Sequence, residues 1–257
     1  MSNQPSLLAA ATVVEARKIT ASRVVHAATI LLIAGVALLA STLHLAAGAG
    51  NEQILAQLGP YAETDGWERL LGITAQIVAI GCLLGFGTVV SWSVGREFTD
   101  GTISGLFALP VPRPFIAAAK LMVFAVWTVL VAVLLVASVV VLGVITGAGS
   151  IGWQTAGGLA RLFVLVILTG LLSYPAAWAA TLGRNLLPGI ATAIGIGVLA
   201  QVAVVAGTGA WLPVAAPALW ASMPQAVSLT QLALVAVIPV VFGALTLSTW
   251  ARLQLDR

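Results

Sequence analysis

The chain has 257 residues, of which 60% are hydrophobic and only 7% are charged, and its formal net charge is +3. Soluble domains carry roughly 25% charged residues, so the composition excludes a soluble fold and indicates that lipid surrounds most of the chain. The single cysteine, Cys82, excludes an internal disulfide and a thiolate metal cluster, and no nucleic-acid partner is expected.

The N-terminal stretch 7–23 differs from the rest of the chain because apolar and basic residues alternate there at near-helical spacing. The residues that set the pattern are Leu7, Leu8, Ala11, Val14, Lys18 and Val25. The pattern predicts an amphipathic interfacial helix that lies on the membrane surface. A disordered tail is the alternative.

Charge-free stretches predict the membrane spans. Asp, Glu, Lys and Arg are absent from 24–51, 70–95, 121–160, 162–183 and 185–251. A helix needs about 20 apolar residues to cross a bilayer, and the last stretch holds two helices divided by prolines. Six transmembrane helices are therefore predicted, at 24–46, 70–92, 121–146, 162–182, 186–207 and 231–250, with an outer Pro-rich segment at 208–230. Strands are excluded because the runs lack period-2 alternation, so the fold class is all-α integral membrane.

The distribution of basic residues predicts the orientation. Nine of the 11 Lys and Arg residues fall on one side, and only Arg69 and Arg161 fall on the other. By the positive-inside rule both termini are cytoplasmic, in a bacterial inner membrane. Tryptophans are expected at headgroup level, with Trp92 and Trp250 near the inner boundary.

The segment 97–113, here called the coupling segment, lies on the cytoplasmic side between the second and third spans. Asp100 or Thr102 can cap a short helix, which Pro110 ends. Ile103, Leu106 and Phe107 share one face of that helix at i, i+3, i+4 spacing. An apolar face in water needs a partner to cover it, so the segment is predicted to dock on a cytoplasmic protein.

These residues resemble the type 2 ABC-transporter permeases. The family's usual pattern is a basic–acidic pair, Gly-Thr, a short apolar helix, Pro, a basic residue, and Lys at the next span. The matching positions are Arg96, Glu97, Gly101, Thr102, Leu106, Phe107, Pro110, Arg113 and Lys120. The resemblance implies that 97–113 is a coupling helix fitting a groove on a separate cytoplasmic ABC ATPase, present in two copies. It also implies that a second permease copy or a paralogue completes the exporter.

Glu97 is predicted either to contact the ATPase or to support the coupling helix. The alternative is an exposed charge that pairs with Arg96 or caps the segment. For Arg113 and Lys120 the alternative is anchoring by the positive-inside rule.

Small and polar residues within the spans suggest packing and substrate roles. Gly189, Ala193 and Gly197 recur every four residues on the fifth span, a spacing that lets helices approach closely, either across a dimer seam or within one subunit. Gln76 and Gln201 are rare intramembrane amides, predicted either to line the substrate path or to bond helices together. Pro175 and Pro239 should kink the fourth and sixth spans. The scarcity of charge suits a hydrophobic or amphiphilic cargo, such as a drug, a peptide antibiotic or a lipid.

The chain lacks the motifs of an enzyme. Neither Lys18 nor Lys120 follows the GxxxxG of a phosphate-binding loop, so ATP and Mg²⁺ are expected on the partner ATPase and no cofactor on this chain. HExxH, metal-ligand spacings and a buried carboxylate pair are likewise not evident. The alternatives are a secondary transporter, disfavoured because no Asp or Glu lies within the predicted spans, and a non-transporting immunity or anchor subunit.

Overall fold

A computed structural model describes residues 4–254, with side chains for residues 7–254, and all the regular structure in that range is helical. Six helical stretches are long and apolar enough to cross a membrane: Arg23–Gly48, Gly66–Thr99, Arg113–Ile145, Trp153–Leu182, Leu186–Val205 and Leu229–Arg252. They are called the first to sixth spans. The predicted all-α, six-span class is confirmed. Arg257, one of the nine basic residues counted on one side, lies outside the described residues.

Most spans are longer than the membrane segments predicted from the sequence. The third span is one of them, and its helix begins at Arg113 rather than 121. Pro114 occupies the first turn, where its fixed φ suits a helix and its missing N–H costs no hydrogen bond. The helix therefore continues through Lys120, which lies two turns inside it and not in a loop.

Prolines divide two of the spans. The fourth consists of helices Trp153–Leu171 and Tyr174–Leu182, and Pro175 lies in the first turn of the second helix. In the sixth, a short helix, Leu229–Ala233, and a 3-10 turn, Leu234–Ala236, precede the helix Val237–Arg252. Pro239 lies in the first turn of that last helix. Each proline thus starts a new helical segment.

The N-terminal helix Gln4–Thr20 packs along the third span. The stretch is helical as predicted, but the face it turns to the bundle differs from the amphipathic pattern. Glu15 and Ile19 are buried, whereas Val13 and Val14 are about half exposed. The carboxylate is directed inward because a lysine of the third span lies opposite it, as described below.

The centre of the bundle is formed by the second and third spans and the second half of the fourth. Phe86 and Trp127 meet edge to face with ring centroids 5.5 Å apart, and Phe124 packs in the same way on Tyr174 at 6.2 Å. The indole of Trp127 donates to Thr29 Oγ1 at 2.9 Å and so joins the third span to the first. The fifth and sixth spans are the least buried and lie at the periphery.

Shorter helices complete the two ends. Helices Glu52–Leu58 and Gly59–Tyr61 lie between the first two spans, and Ala216–Ser222 and Pro224–Ala226 lie between the last two. The single-turn helix Ile103–Phe107 connects the second and third spans.

Candidate functional site

A tight reversal connects the second span to the helix of the coupling segment. Asp100 ends the span, and Gly101 has a φ of +69°, a left-handed conformation that glycine adopts without a steric penalty. The helix Ile103–Phe107 follows, and the third span begins at Arg113. The 97–113 stretch therefore forms a short helix between two turns at one end of the bundle.

The apolar face of this short helix packs on the bundle, so the prediction that it is exposed is wrong for this chain. Ile103 is buried, and Leu106 and Phe107 are half-buried against the core. The ring of Phe107 lies edge-on to Trp250, with centroids 6.4 Å apart. The bundle itself offers apolar surface to cover this face, and burial against it removes the face from water.

Trp250 forms the floor beneath the coupling segment. It is fully buried, contacts Phe98 as well as Phe107, and donates its indole N–H to Thr181 Oγ1 at 3.2 Å. Its predicted place in an interfacial aromatic belt is therefore wrong. The tryptophan joins the fourth and sixth spans to the segment instead.

Arg113 holds the other end of the segment. Its guanidinium lies over the ring of Phe107, 4.1 Å from the centroid, and its Nη1 donates to the carbonyl oxygen of Leu253. The cation–π contact and the hydrogen bond fix the segment against the C-terminal end of the sixth span. These contacts give Arg113 a structural role in addition to any anchoring by charge.

The segment leaves two groups of residues exposed. Thr99, Asp100, Gly101 and Thr102 are exposed at the turn before the short helix, and five residues of the helix and the stretch after it form a strip: Ser104, Gly105, Ala108, Leu109 and Pro110. Leu109 is the large apolar side chain among them, with 51% of its surface exposed. This strip of five residues, here called the docking strip, is open to contact by another protein.

A group of four charged side chains lies beneath the segment and is here called the charge network: Glu15, Lys18, Glu97 and Lys120. Lys120 Nζ donates to Glu15 Oε2 and Glu97 Oε1, both at 2.8 Å, and to the Ser93 carbonyl at 2.9 Å. Its three N–H donors are thus all satisfied. Two positive and two negative charges give the network a net charge of zero.

Lys18 closes the network from the N-terminal helix. Its Nζ donates to Glu15 Oε1 at 2.7 Å and to Glu97 Oε1 at 2.8 Å. Burial lowers the pKa of Lys18, but the hydrogen bonds and charges of Glu15 and Glu97 raise it more, so its pKa lies above the ordinary value for lysine. Lys18 is therefore a cation throughout the physiological range.

Glu97 connects this network to the coupling segment. Its side chain is almost fully buried, and its Oε2 accepts a 2.6 Å hydrogen bond from the Thr102 hydroxyl. Thr102 makes no capping bond to the short helix, and none from Asp100 is seen in the described chain, so the predicted cap is not formed. Of the alternatives for Glu97, this position fits support of the segment, and the expected pairing with Arg96 is not seen in the described chain.

The charge network contains a buried pair of carboxylates, so the expectation from the sequence that the chain has none is wrong. Glu15 and Glu97 are both buried and share the two lysines. Sequence inspection missed the contact between Glu15 and Lys120 because they are 105 residues apart in the chain. The available signal was that a lysine two turns inside an apolar helix requires a buried counter-charge.

The predicted ridge of the fifth span packs within this chain. A Cβ built on Gly189 would lie 2.1 Å from Ser91 Oγ and 2.6 Å from the Ala176 carbonyl oxygen. Ala193 fills the space above Gly87, and Gly197 is half-buried near the same span. Of the two alternatives for this ridge, the contacts of Gly189 and Ala193 with the second and fourth spans fit packing within one subunit.

The two intramembrane amides are on the surface of this chain. Gln76 and Gln201 are both exposed, and within residues 7–254 neither side chain makes a hydrogen bond, either to the other or elsewhere. The interhelical bond between them is therefore not formed. Their role in a substrate path stays a prediction.

The described residues hold no group of three or more His, Cys, Asp or Glu side chains that could bind a metal. The network's carboxylates are occupied by lysines, and its geometry joins elements without presenting a reactive group. Six apolar spans with a short helix clamped between the second and third define a multi-pass membrane subunit.

The model of the family described as ABC-2 family transporter protein matches residues 12–204, about three quarters of the chain. The chain belongs to this family. The match includes the whole charge network and the coupling segment, whereas the sixth span lies beyond it. No curated protein and no solved structure matches the chain. Family membership makes the chain a membrane component of an ABC transporter and implies an ABC ATPase as partner.

Proposed function

We propose that this chain is the permease subunit of an ATP-driven exporter that moves a hydrophobic or amphiphilic cargo outward. ATP and Mg²⁺ are bound by a separate ATPase, two copies of which serve two permease chains. The observation that carries this proposal is the clamped coupling segment. Its inner face is held by the charge network and Trp250, while its docking strip remains free for a partner.

The contacts of the segment suggest how force from the ATPase reaches the spans. A displacement of the docking strip moves Thr102 and therefore the Glu97 carboxylate at the end of the second span. The same carboxylate is bonded to Lys120 of the third span and to Lys18 of the N-terminal helix. The strip and these three elements thus move as one body when the ATPase opens or closes.

The orientation in this proposal follows from the basic residues. The end that carries the coupling segment also carries Lys18, Arg96, Arg113, Lys120, Arg184 and Arg252. We assign this end to the cytoplasm of a bacterial inner membrane, with both termini on that side. An ATPase can reach the docking strip only in this orientation.

The cargo assignment rests on the composition of the exposed spans. The exposed face of the fifth span is apolar, with Val198, Leu199 and Val202 about half exposed, and Gln201 is its amide. An amide in hydrocarbon requires a partner, so we place Gln201 toward a cavity or a second permease copy, or a paralogue, and Gln76 likewise. Such a path suits an amphiphile and poorly suits a strongly charged solute.

The docking strip gives the direct test of this function. Leu109→Asp is expected to lower the amount of ATPase that co-purifies with the chain by about tenfold or more, because it places a charge at the centre of an apolar contact. The quantity to measure is the ratio of ATPase to permease after affinity purification from membranes. Leu106 and Phe107 are unsuitable for this purpose, since aspartate there would disrupt the packing on Trp250.

Ile151→Asp is the matched control. Ile151 is 50% exposed, as Leu109 is 51% exposed, but it lies in the loop at the opposite end of the bundle. Its substitution should leave the ratio unchanged. Equal ratios for wild type and Leu109→Asp would exclude the docking strip as the ATPase contact.

A further inference from the structure

A cavity of about 770 Å³ lies at the end of the bundle opposite the charge network. Its walls come from the start of the second span, the first turns of the fourth span and the short helices before the sixth. The apolar part of the lining includes Leu71, Ala75 and Leu162, and Trp153 lies at the rim with 92% of its surface exposed. Its volume is that of a site for a ligand the size of a drug or a lipid headgroup.

Arg161 is the cation of this cavity. It lies eight residues into the helix that begins at Trp153, about 12 Å along the axis, and its side chain runs back toward the helix start. Nη1 and Nη2 lie 3.7 and 3.8 Å from Cβ positions built on Gly157 and Gly158. The guanidinium therefore lies alongside both glycines, at the distance of an ordinary van der Waals contact.

The guanidinium has no partner within residues 7–254. Its Nε is buried and makes no hydrogen bond, and none of the ion pairs in that part of the chain involves Arg161. A guanidinium is always protonated, and a buried donor without a partner is unfavourable. The arginine is therefore able to bind an acceptor that is not part of the described chain.

The mouth of the same cavity is acidic. Asp65 and Glu68 line it, both are exposed, and neither forms an ion pair with a residue in the described part of the chain. The cavity is thus lined by a positive charge and by negative charges at separate places. The guanidinium of Arg161 lies deeper, among apolar side chains, and the carboxylates of Asp65 and Glu68 lie nearer to water.

We propose that this cavity binds the headgroup of a zwitterionic amphiphile. The anionic group, a phosphodiester or carboxylate, would be bound by Arg161, and the ammonium would lie near Asp65 and Glu68. In a phospholipid such as phosphatidylethanolamine the phosphate is nearer to the acyl chains than the amine is, which is the same order of charges. The carboxylates would repel a purely anionic headgroup, and Arg161 would repel a purely cationic one.

The test uses the full chain purified in detergent. It is incubated with equimolar phosphatidylethanolamine and phosphatidylglycerol bearing identical acyl chains and purified again, and the retained lipids are counted by mass spectrometry. Wild type should retain phosphatidylethanolamine preferentially. Arg161→Gln should reduce its retention about tenfold, as expected when a charge-assisted contact of about 1.4 kcal/mol is lost.

Two further variants separate headgroup binding from general effects. Asp65→Asn with Glu68→Gln should shift the retained mixture toward phosphatidylglycerol, because the partner of the amine and the repulsion of the anion are both removed. Arg252→Gln, which makes the same exchange at the opposite end, should change nothing. Unchanged retention in Arg161→Gln, or an equal loss in Arg252→Gln, would overturn the proposal, and circular dichroism reports whether each variant is folded.

The source of the headgroup is distinguished by competition with lysophosphatidylethanolamine, which has the same headgroup and a single chain. Displacement of the bound lipid by an equal amount of this compound indicates a site for a single-chain amphiphile, such as a cargo. Resistance indicates a site for membrane lipid. Because no export is measured, failure of the exporter proposal would leave this result intact.

Discussion

Lys120→Met is expected to lower the thermal unfolding midpoint of the purified chain by about 10 °C. The substitution leaves Glu15 and Glu97 buried with only Lys18 between them and removes the donor to the Ser93 carbonyl. Removing one partner from a buried charge pair costs about 3–5 kcal/mol, which corresponds to a shift of this size in a chain of similar length. The midpoint can be followed by the fluorescence or circular dichroism of the chain in detergent.

A second substitution in the same network tests whether the loss has an electrostatic cause. Lys120→Met combined with Glu15→Gln leaves Lys18 paired with Glu97, so the buried charges are balanced again. We expect the double variant to recover at least half of the lost midpoint, the coupling that a double-mutant cycle measures. Arg252→Met, at the same end but exposed, should change it little. A single Lys120→Met variant as stable as wild type would show that the network does not hold the segment.

Gly189→Ala is expected to destabilise the chain itself. The new Cβ would lie 2.6 Å from the backbone oxygen of Ala176, which cannot rotate away, and 2.1 Å from Ser91 Oγ. Overpacking of this kind costs about 1–3 kcal/mol, and the fifth span would have to move away from the second and fourth. The folded yield and the unfolding midpoint should both fall.

Gly195→Ala is the matched control for this substitution. Gly195 lies on the same helix, and nothing comes within 4 Å of a Cβ built there. Alanine should therefore be neutral or stabilising, since it favours the helix by up to about 1 kcal/mol relative to glycine. If Gly189→Ala instead dissociated a dimer without lowering the stability of the monomer, the ridge would face a second copy.

The sequence predicted the helices because the reasons for them are local. Uninterrupted apolar stretches long enough to cross a bilayer locate the six spans, and the spacing of Ile103, Leu106 and Phe107 before Pro110 locates the single-turn helix between the second and third. Pro175 and Pro239 also acted locally, although each begins a new helical segment and does not bend a continuous one. The N-terminal helix was recognised in the same way from its spacing.

The orientation of side chains depends on tertiary contacts and was predicted less well. The short helix has one apolar face, formed by Ile103, Leu106 and Phe107, whether that face is exposed or packed. The sequence contains no signal that Trp250 lies beneath it. The burial of Glu15 also depends on a tertiary contact. Its helix has a clear periodicity, yet the face that packs inward is chosen by Lys120, more than a hundred residues later. The spacing of the fifth-span ridge fitted packing within one chain or across a dimer. Only the contacts of Gly189 with Ser91 and Ala176 distinguish the two.

A cross-link from the docking strip tests the central claim most directly. Ser104→Cys places a thiol on the exposed strip, and Cys82 does not compete because it is fully buried. After treatment of membranes with a short thiol–amine cross-linker, the protein joined to Ser104→Cys is identified by mass spectrometry. The same is done for Gln154→Cys, an exposed position at the opposite end.

The account predicts that Ser104→Cys captures a protein with an ABC ATPase sequence, including the GxxxxGK[ST] phosphate-binding loop, and that Gln154→Cys does not. This outcome would also place the coupling end in the cytoplasm. Capture of the ATPase by Gln154→Cys, or its co-purification without any cross-link to Ser104→Cys, would contradict the account.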